Sequence, residues 1–217
     1  MARQYPNLNP DKALIWRIVH RENLPWILDN GLHCGNSCTK APTWVNIGNE
    51  ELITKRSTRP VPITPGGYLS DYVPFYFTPF SPMLYNITTG RGGVQKRSNE
   101  EIIIFVSSLH HLADLGIPFL FTDSHAYPIL TIFYSDLGEL DHIDWNLLQS
   151  RDFKRDPEDP EKFDRYQAEA LIYKHLPIHG LLGVICFNEK VQSTIEEEIG
   201  AHGAVLPVYA RPKWYFT

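Results

Sequence analysis

The sequence predicts an α+β fold, and three observations carry that prediction. Apolar, β-branched runs of strand length at 102–107 and 181–187 read as buried strands and fall far short of a membrane span. Helical segments with their own caps stand among them, the clearest starting after Asn188 and running to Gly200. The two kinds of element mix without the regular strand–helix–strand rhythm of a doubly wound parallel sheet. A chain of 217 residues, 43% hydrophobic and 12% aromatic, suits one large core, so a single domain over 1–217 is expected.

In chain order, 14–20 reads as a first strand of large residues. Asn23 is placed to cap a short helix, with Pro25 in its first turn and Gly31 as its stop. Residues 32–71 are rich in Gly, Pro, Asn, Ser and Thr with few periodic apolar positions. A segment this long without regular structure is usually a lid or binding loop. Residues 71–85, Asp-Tyr-Val-Pro-Phe-Tyr-Phe-Thr-Pro-Phe-Ser-Pro-Met-Leu-Tyr, hold six aromatics and three prolines. Proline removes a ladder donor, so a plain core strand is disfavoured. The economical reading is a short strand at 73–77 running into an aromatic wall beside a cleft, suited to a flat ligand. The plainer alternative is a proline-stiffened core corner. Ser108 caps a helix ending at Gly116, a short strand covers 119–121, and Thr122-Asp123-Ser124-His125 is a turn. Asp144 caps a helix over 145–149, which makes Asp141-His142-Ile143-Asp144 a helix start. Residues 151–161 are charged and loop-like, 167–173 fits helix or strand, and 205–210 is a last strand.

The net charge of −5 argues against broad, charge-driven binding to duplex DNA. Basic residues are nevertheless clumped, at Lys55, Arg56 and Arg59, at Arg91, Lys96 and Arg97, and from Arg151 to Arg165. Three cysteines and no apolar leader fit a reducing cytoplasm, and no membrane partner is expected. His33, Cys34 and Cys38 lack a second Cys/His pair nearby, so no metal site is expected. Gly90, Gly92 and Gly93 lack the strand-then-helix context of a phosphate loop. Glu169, between Ala168 and Ala170 and just before an apolar stretch, is either a carboxylate that a ligand can approach or a surface residue of an amphipathic helix. His125 is either a proton shuttle or a turn residue.

Several separated segments together resemble the DarT toxins, the DNA ADP-ribosyltransferases of DarT/DarG toxin–antitoxin systems. They are Ile15-Trp16-Arg17-Ile18-Val19-His20 with Glu22-Asn23-Leu24, Ile27-Leu28 ahead of Gly31-Leu32, and Ile53-Thr54-Lys55-Arg56. Tyr-Val-Pro-Phe-Tyr-Phe and Ser-Pro-Met-Leu-Tyr within 71–85 follow, then the Glu169 segment with Leu176-Pro177 beyond it. The resemblance implies an ADP-ribosyltransferase fold of the PARP type, with central mixed or antiparallel sheets and peripheral helices. It implies NAD+ as co-substrate, a base in single-stranded DNA as acceptor (thymine first, with guanine, RNA or protein as alternatives), and a DarG-type macrodomain antitoxin as partner of a monomer. A non-catalytic NAD+ or single-strand binding module is the rival from another class. Implied catalytic residues are Glu169 and Arg56, with Arg59 as the competitor for the latter. Implied NAD+ contacts are Arg17, Ile18, Val19, His20, Asn23, Gly31, Leu32, Arg56 and Tyr76, with 32–71 as the lid. Implied DNA contacts are Met83, Tyr85, His125, Tyr127, Arg151, Arg155 and Arg165, within and around a recognition region at 119–165. The chain departs from the family pattern at Arg17-Ile18-Val19, where His-Ile-Thr is usual, and at Phe80, where a basic residue is expected.

Overall fold

The computed structural model describes residues 5–217. Its strands are β1 (Leu14–His20), β2 (Leu32–His33), β3 (Tyr72–Tyr76), β4 (Ile102–Ser108), β5 (Phe119–Thr122), β6 (Phe133–Tyr134), β7 (Glu169–Tyr173), β8 (His175–Leu176), β9 (Gly183–Cys186) and β10 (Val208–Ala210). Its α-helices are α1 (Leu24–Asn30), α2 (Glu50–Arg56), α3 (Pro82–Thr89), α4 (Leu109–Asp114), α5 (Trp145–Ser150), α6 (Lys162–Arg165) and α7 (Glu189–Ala201).

Eight strands form one sheet in the order β10-β9-β4-β1-β3-β7-β5-β6, and β2 pairs with β8 apart from it. The pairs are antiparallel except β10 with β9, so the sheet is mixed. β1 and β4 register along their whole length, from Leu14 opposite Ser108 to His20 opposite Ile102. Their buried Ile, Val and Phe side chains anchor the main core. β1 and β3, by contrast, share one registered pair, Trp16 with Tyr76. The sheet splits there. Arg17 bridges the split, its Nη1 donating to the Pro74 carbonyl at 2.8 Å.

The caps follow the local rules. Asn188, Asp144, Asn49 and Ser81 each accept a backbone N–H through the side chain at a helix start. Gly90 closes α3 in the left-handed region. Asn23 does otherwise: its backbone is helical, and its side chain caps nothing.

Residues 71–85 take the plainer alternative in large part. Tyr72, Phe75, Phe77 and Phe80 are buried, and of the three prolines only Pro74 borders the groove. Pro82 opens α3, where its missing N–H costs nothing. Tyr76, Met83 and Pro74 face the inner compartment of the groove, and Pro74 and Tyr72 the outer one. The segment 32–71 also holds more regular structure than its composition suggests, namely β2, α2 and a 3₁₀ turn at Leu69–Asp71. α2 buries none of its residues, so no apolar period marked it.

Candidate active site

The cleft opens at the split between β1 and β3 and has two compartments. The inner one is lined by Arg17, Ile18, Val19, Asn23, Tyr76, Met83, His125 and Glu169, and by residues 44–49 of the overlying segment. The outer one lies among Trp26, His33, Cys34, Ser70 and Tyr72. Arg17, Trp44, Asn46, Ile53, Arg56 and Pro74 border both, so they form one continuous groove. The inner volume is about 160 Å³ and the outer about 430 Å³. A cavity of about 150 Å³ takes one benzene ring, so the inner compartment is sized for a single six-membered ring and the outer for a larger group.

Glu169 begins β7, opposite Tyr76, and is 2% exposed. Because strand side chains alternate, Ala168 and Ala170 turn away from it into the core. The helix alternative for this segment is therefore excluded. The carboxylate is held on two sides. Its Oε1 accepts the Ala126 N–H at 2.9 Å. Arg56 Nη1 donates to it across the groove, 3.1 Å from Oε1 and 3.0 Å from Oε2. His125 Nε2 lies 3.9 Å from Oε1. Burial lowers the pKa of His125 below the ordinary imidazole value; the Glu169 charge opposes that shift, and Arg56 adds to it. His125 is therefore a neutral imidazole at neutral pH.

Arg56 ends α2, and Arg59 follows one turn on. They part company at once. Arg59 reaches away from the groove to backbone carbonyls at 127–129, so Arg56 is the arginine on the carboxylate. Arg17 completes the charged floor. Its pKa is lowered to about 10, first by burial and then by Arg56, which leaves it protonated at neutral pH. Two guanidiniums against one carboxylate leave a surplus positive charge in the groove. Arg17 Nε and Arg56 Nη2 are buried without a protein acceptor. Buried donors are rarely left so, and a phosphate-bearing co-substrate would satisfy both.

Asn23 ties the overlying segment to the fold. Its amide donates to the Val45 carbonyl at 2.9 Å and accepts the Val45 N–H at 2.8 Å. Trp44 beside it meets Trp26 edge-on, with ring centroids 5.9 Å apart. Asn23→Ala leaves both Val45 groups unpaired at a cost of about 1–3 kcal/mol. The KM for the dinucleotide is expected to rise about tenfold while kcat changes less; steady-state kinetics with varied dinucleotide check this.

Three residues expected in the groove are elsewhere. His20 is buried beneath it: Nδ1 accepts the Glu22 N–H at 3.3 Å, and Nε2 lies 3.4 Å from Glu101. Gly31 makes a left-handed turn at φ +75°, where a Cβ would sit 2.5 Å from the Leu176 carbonyl oxygen. Leu32 pairs with Leu176 and is core. On the acceptor side, Met83 and His125 line the groove, and Tyr76 donates its hydroxyl to Met83 Sδ at 3.8 Å. Tyr127 rides on the loop that Arg59 holds. Tyr85 packs against Phe153 and Phe216 and accepts a bond from Arg91. Three expected DNA contacts are used within the protein. Arg151 stacks 3.9 Å over Phe80 and donates to the Tyr5 hydroxyl. Arg155 lies over Phe163. Arg165 grips Asp159 with two bonds. Among the described residues, no group of three His, Cys, Asp or Glu is placed to hold a metal ion.

A family profile described as DarT, ssDNA thymidine ADP-ribosyltransferase, matches residues 16–216. The chain belongs to the DarT family. A DNA ADP-ribosyl transferase from Escherichia coli O127:H6 is 59% identical to it over 218 residues, covering all of both chains. The solved structure of Thermus sp. 2.9 DarT in complex with ADP-ribosylated ssDNA superposes with a TM-score of 0.87 at 32% identity, again over the whole of both chains. The same Thermus DarT in complex with NAD+ gives 0.81 at 32% identity, covering 95% of this chain and 99% of that one. As a DarT the chain is an NAD+-dependent DNA ADP-ribosyltransferase on an α+β ADP-ribosyltransferase fold, with NAD+ as co-substrate. Sequence reasoning missed Ala126, which acts through its backbone and carries no side-chain signal. It placed 44–49 within the 32–71 lid without singling out its residues.

Proposed function

We propose that this groove transfers ADP-ribose from NAD+ to thymine in single-stranded DNA, with Glu169 and Arg56 as its catalytic pair. Nicotinamide occupies the inner compartment, against Ile18, Val19 and Tyr76. The pyrophosphate meets Arg17 and Arg56, and the adenosine end lies in the outer compartment beside Trp26 and Trp44. The bond from ribose C1 to the nicotinamide nitrogen breaks, and its electron pair leaves on nicotinamide. Positive charge then grows on the ribose, as in glycosidic cleavage. Glu169 accepts the ribose 2-hydroxyl hydrogen bond, which strengthens as that charge develops. An interaction stronger in the transition state than in the ground state raises the rate.

The thymine N3 proton leaves to water, and the electron pair it leaves on N3 forms the new bond to C1. A guanidinium does not surrender a proton under ordinary conditions, so Arg56 acts as a fixed cation facing the emerging anion. Residues 32–71 act as the lid over NAD+, and 119–165 carry the acceptor side, all within one catalytic domain of residues 1–217. Met83, His125 and Tyr127 receive the base.

The observation that carries this reading is the buried Glu169 carboxylate gripped by Arg56 where the lid meets the acceptor side. Its test is mass spectrometry of a thymine-containing oligonucleotide after incubation with protein and NAD+. A single ADP-ribose adduct on thymine is expected; an adduct on guanine, RNA or the protein itself would overturn the acceptor assignment. A duplex must first give up the base, at a few kcal/mol, so the matched duplex is expected to react at least about tenfold more slowly. Equal rates on both forms would count against the picture. A DarG-type macrodomain that removes the mark is the expected antitoxin. Among the described residues no helix is long and apolar enough to cross a membrane; we place the enzyme, as a monomer, in the cytoplasm.

A further inference from the structure

The loop at 123–132 is stitched shut and packed only at its base, where Ala126 and Thr131 are buried and Tyr127 lies against the core. Thr131 Oγ1 donates to the His125 carbonyl at 2.7 Å, Ser124 Oγ donates to Asp123, and Asp123 accepts the Ile132 N–H. Its tip is open to solvent: Ile129 is 85% exposed and Leu130 89%. Its base is at the reacting centre, because Ala126 donates to Glu169 and His125 lines the inner compartment. A tip with so little burial is held by hydrogen bonds to its backbone.

Arg59 is that brace. Its Nε donates to the Tyr127 carbonyl at 2.9 Å, and its Nη2 donates to the Pro128 and Ile129 carbonyls at 3.0 and 3.5 Å. Arg56 and Arg59 issue from the same end of α2, one to the carboxylate and the other to the acceptor loop. α2 belongs to the segment over NAD+ and sends no apolar side chain into the core. The side of the groove that binds dinucleotide and the loop beside the acceptor are thus joined by two guanidiniums one helical turn apart.

We propose that Arg59 is a positioning residue for the acceptor base: it sets the loop at 126–129 relative to Glu169 and so governs how tightly single-stranded DNA is held. This rests on the transfer reaction proposed above. Arg59 touches neither substrate; it acts through the loop backbone. A planar fork serves several carbonyls at once, where an ammonium serves as a point donor. Arg59→Met keeps the length and removes every donor, while Arg59→Lys keeps a single donor nitrogen.

The experiment is steady-state kinetics on the full chain with NAD+ and a single-stranded thymine oligonucleotide varied in turn, alongside thermal melting. For Arg59→Met the oligonucleotide KM is expected to rise about tenfold or more while the NAD+ KM stays within about twofold, with Arg59→Lys in between. Thr131→Val, which loosens the same loop from its other side, is expected to show the same split and serves as the test if Arg59→Met does not fold. A parallel rise in both KM values, or no change in either, would overturn the proposal. Failure of the unaltered protein to modify the oligonucleotide would instead sink the transfer reaction, so the two outcomes are separable.

Discussion

Glu169→Gln is expected to lose about 10²–10³ or more in kcat for ADP-ribosyl transfer, the scale seen when one preorganised charge-stabilising group is removed. Glutamine fills the same space. Its carbonyl oxygen still accepts from Ala126 and Arg56, whose bonds to the carboxylate are 2.9 and 3.1 Å in the native protein. What it lacks is the negative charge that the ribose cation calls for. NAD+ binding is expected to persist, since the groove's cationic residues are untouched. Alanine is the poorer probe. It strips the partner from a guanidinium that is itself largely buried, and breaking such a pair costs about 3–5 kcal/mol. Oligonucleotide modification followed by mass spectrometry, with melting measured in parallel, decides it. Near-normal turnover by a folded Glu169→Gln enzyme would end the assignment of Glu169.

Arg56→Ala is expected to be comparably damaging, for two reasons acting together. It leaves the Glu169 carboxylate buried with one remaining donor, Ala126, and the neutral His125 imidazole at 3.9 Å. It also removes the tie from α2 to β7, leaving this short helix held at its ends by Asn49 on the Gly92 carbonyl and by Arg59 on the carbonyls at 127 and 128. A loss of about 10²–10³ in kcat/KM follows. Lysine separates the roles. One ammonium can restore the bond that Nη1 makes to the carboxylate, yet it cannot also present the second, unpartnered Nη2 to a ligand. Partial recovery, to within about tenfold of wild type, is expected if the charge near Glu169 dominates. No recovery would assign the main role to the planar fork, held against phosphate or the thymine anion. Full activity in Arg56→Ala would remove this residue from the mechanism altogether.

The carboxylate itself illustrates what the chain discloses locally. Ala168-Glu169-Ala170 fits a helix face and a strand equally well by spacing, because a three-residue pattern resolves neither period. Only the pairing of β7 with β3 and β5 made it a strand and turned Glu169 inward. The aromatic run at 71–85 misleads in the opposite direction. Ring content looks the same in a stacking wall and in a core corner, and the difference lies in what packs against Phe75, Phe77 and Phe80. Arg151, Arg155 and Arg165 are a further case. As a basic clump they suit a phosphate backbone, but their acceptors and rings, at Tyr5, Phe163 and Asp159, come from the fold around them.

By itself the sequence determined the strand cores at 14–20 and 102–107, the caps at Asn188 and Asp144, and the family motifs, because each depends on neighbours a few residues away. Tertiary structure decided which arginine meets the carboxylate, Arg56 and Glu169 being 113 residues apart. It also turned Asn23 from a helix cap into the anchor of Val45. Such choices are contacts closed between distant segments, and no local period or spacing encodes which distant partner a side chain will find.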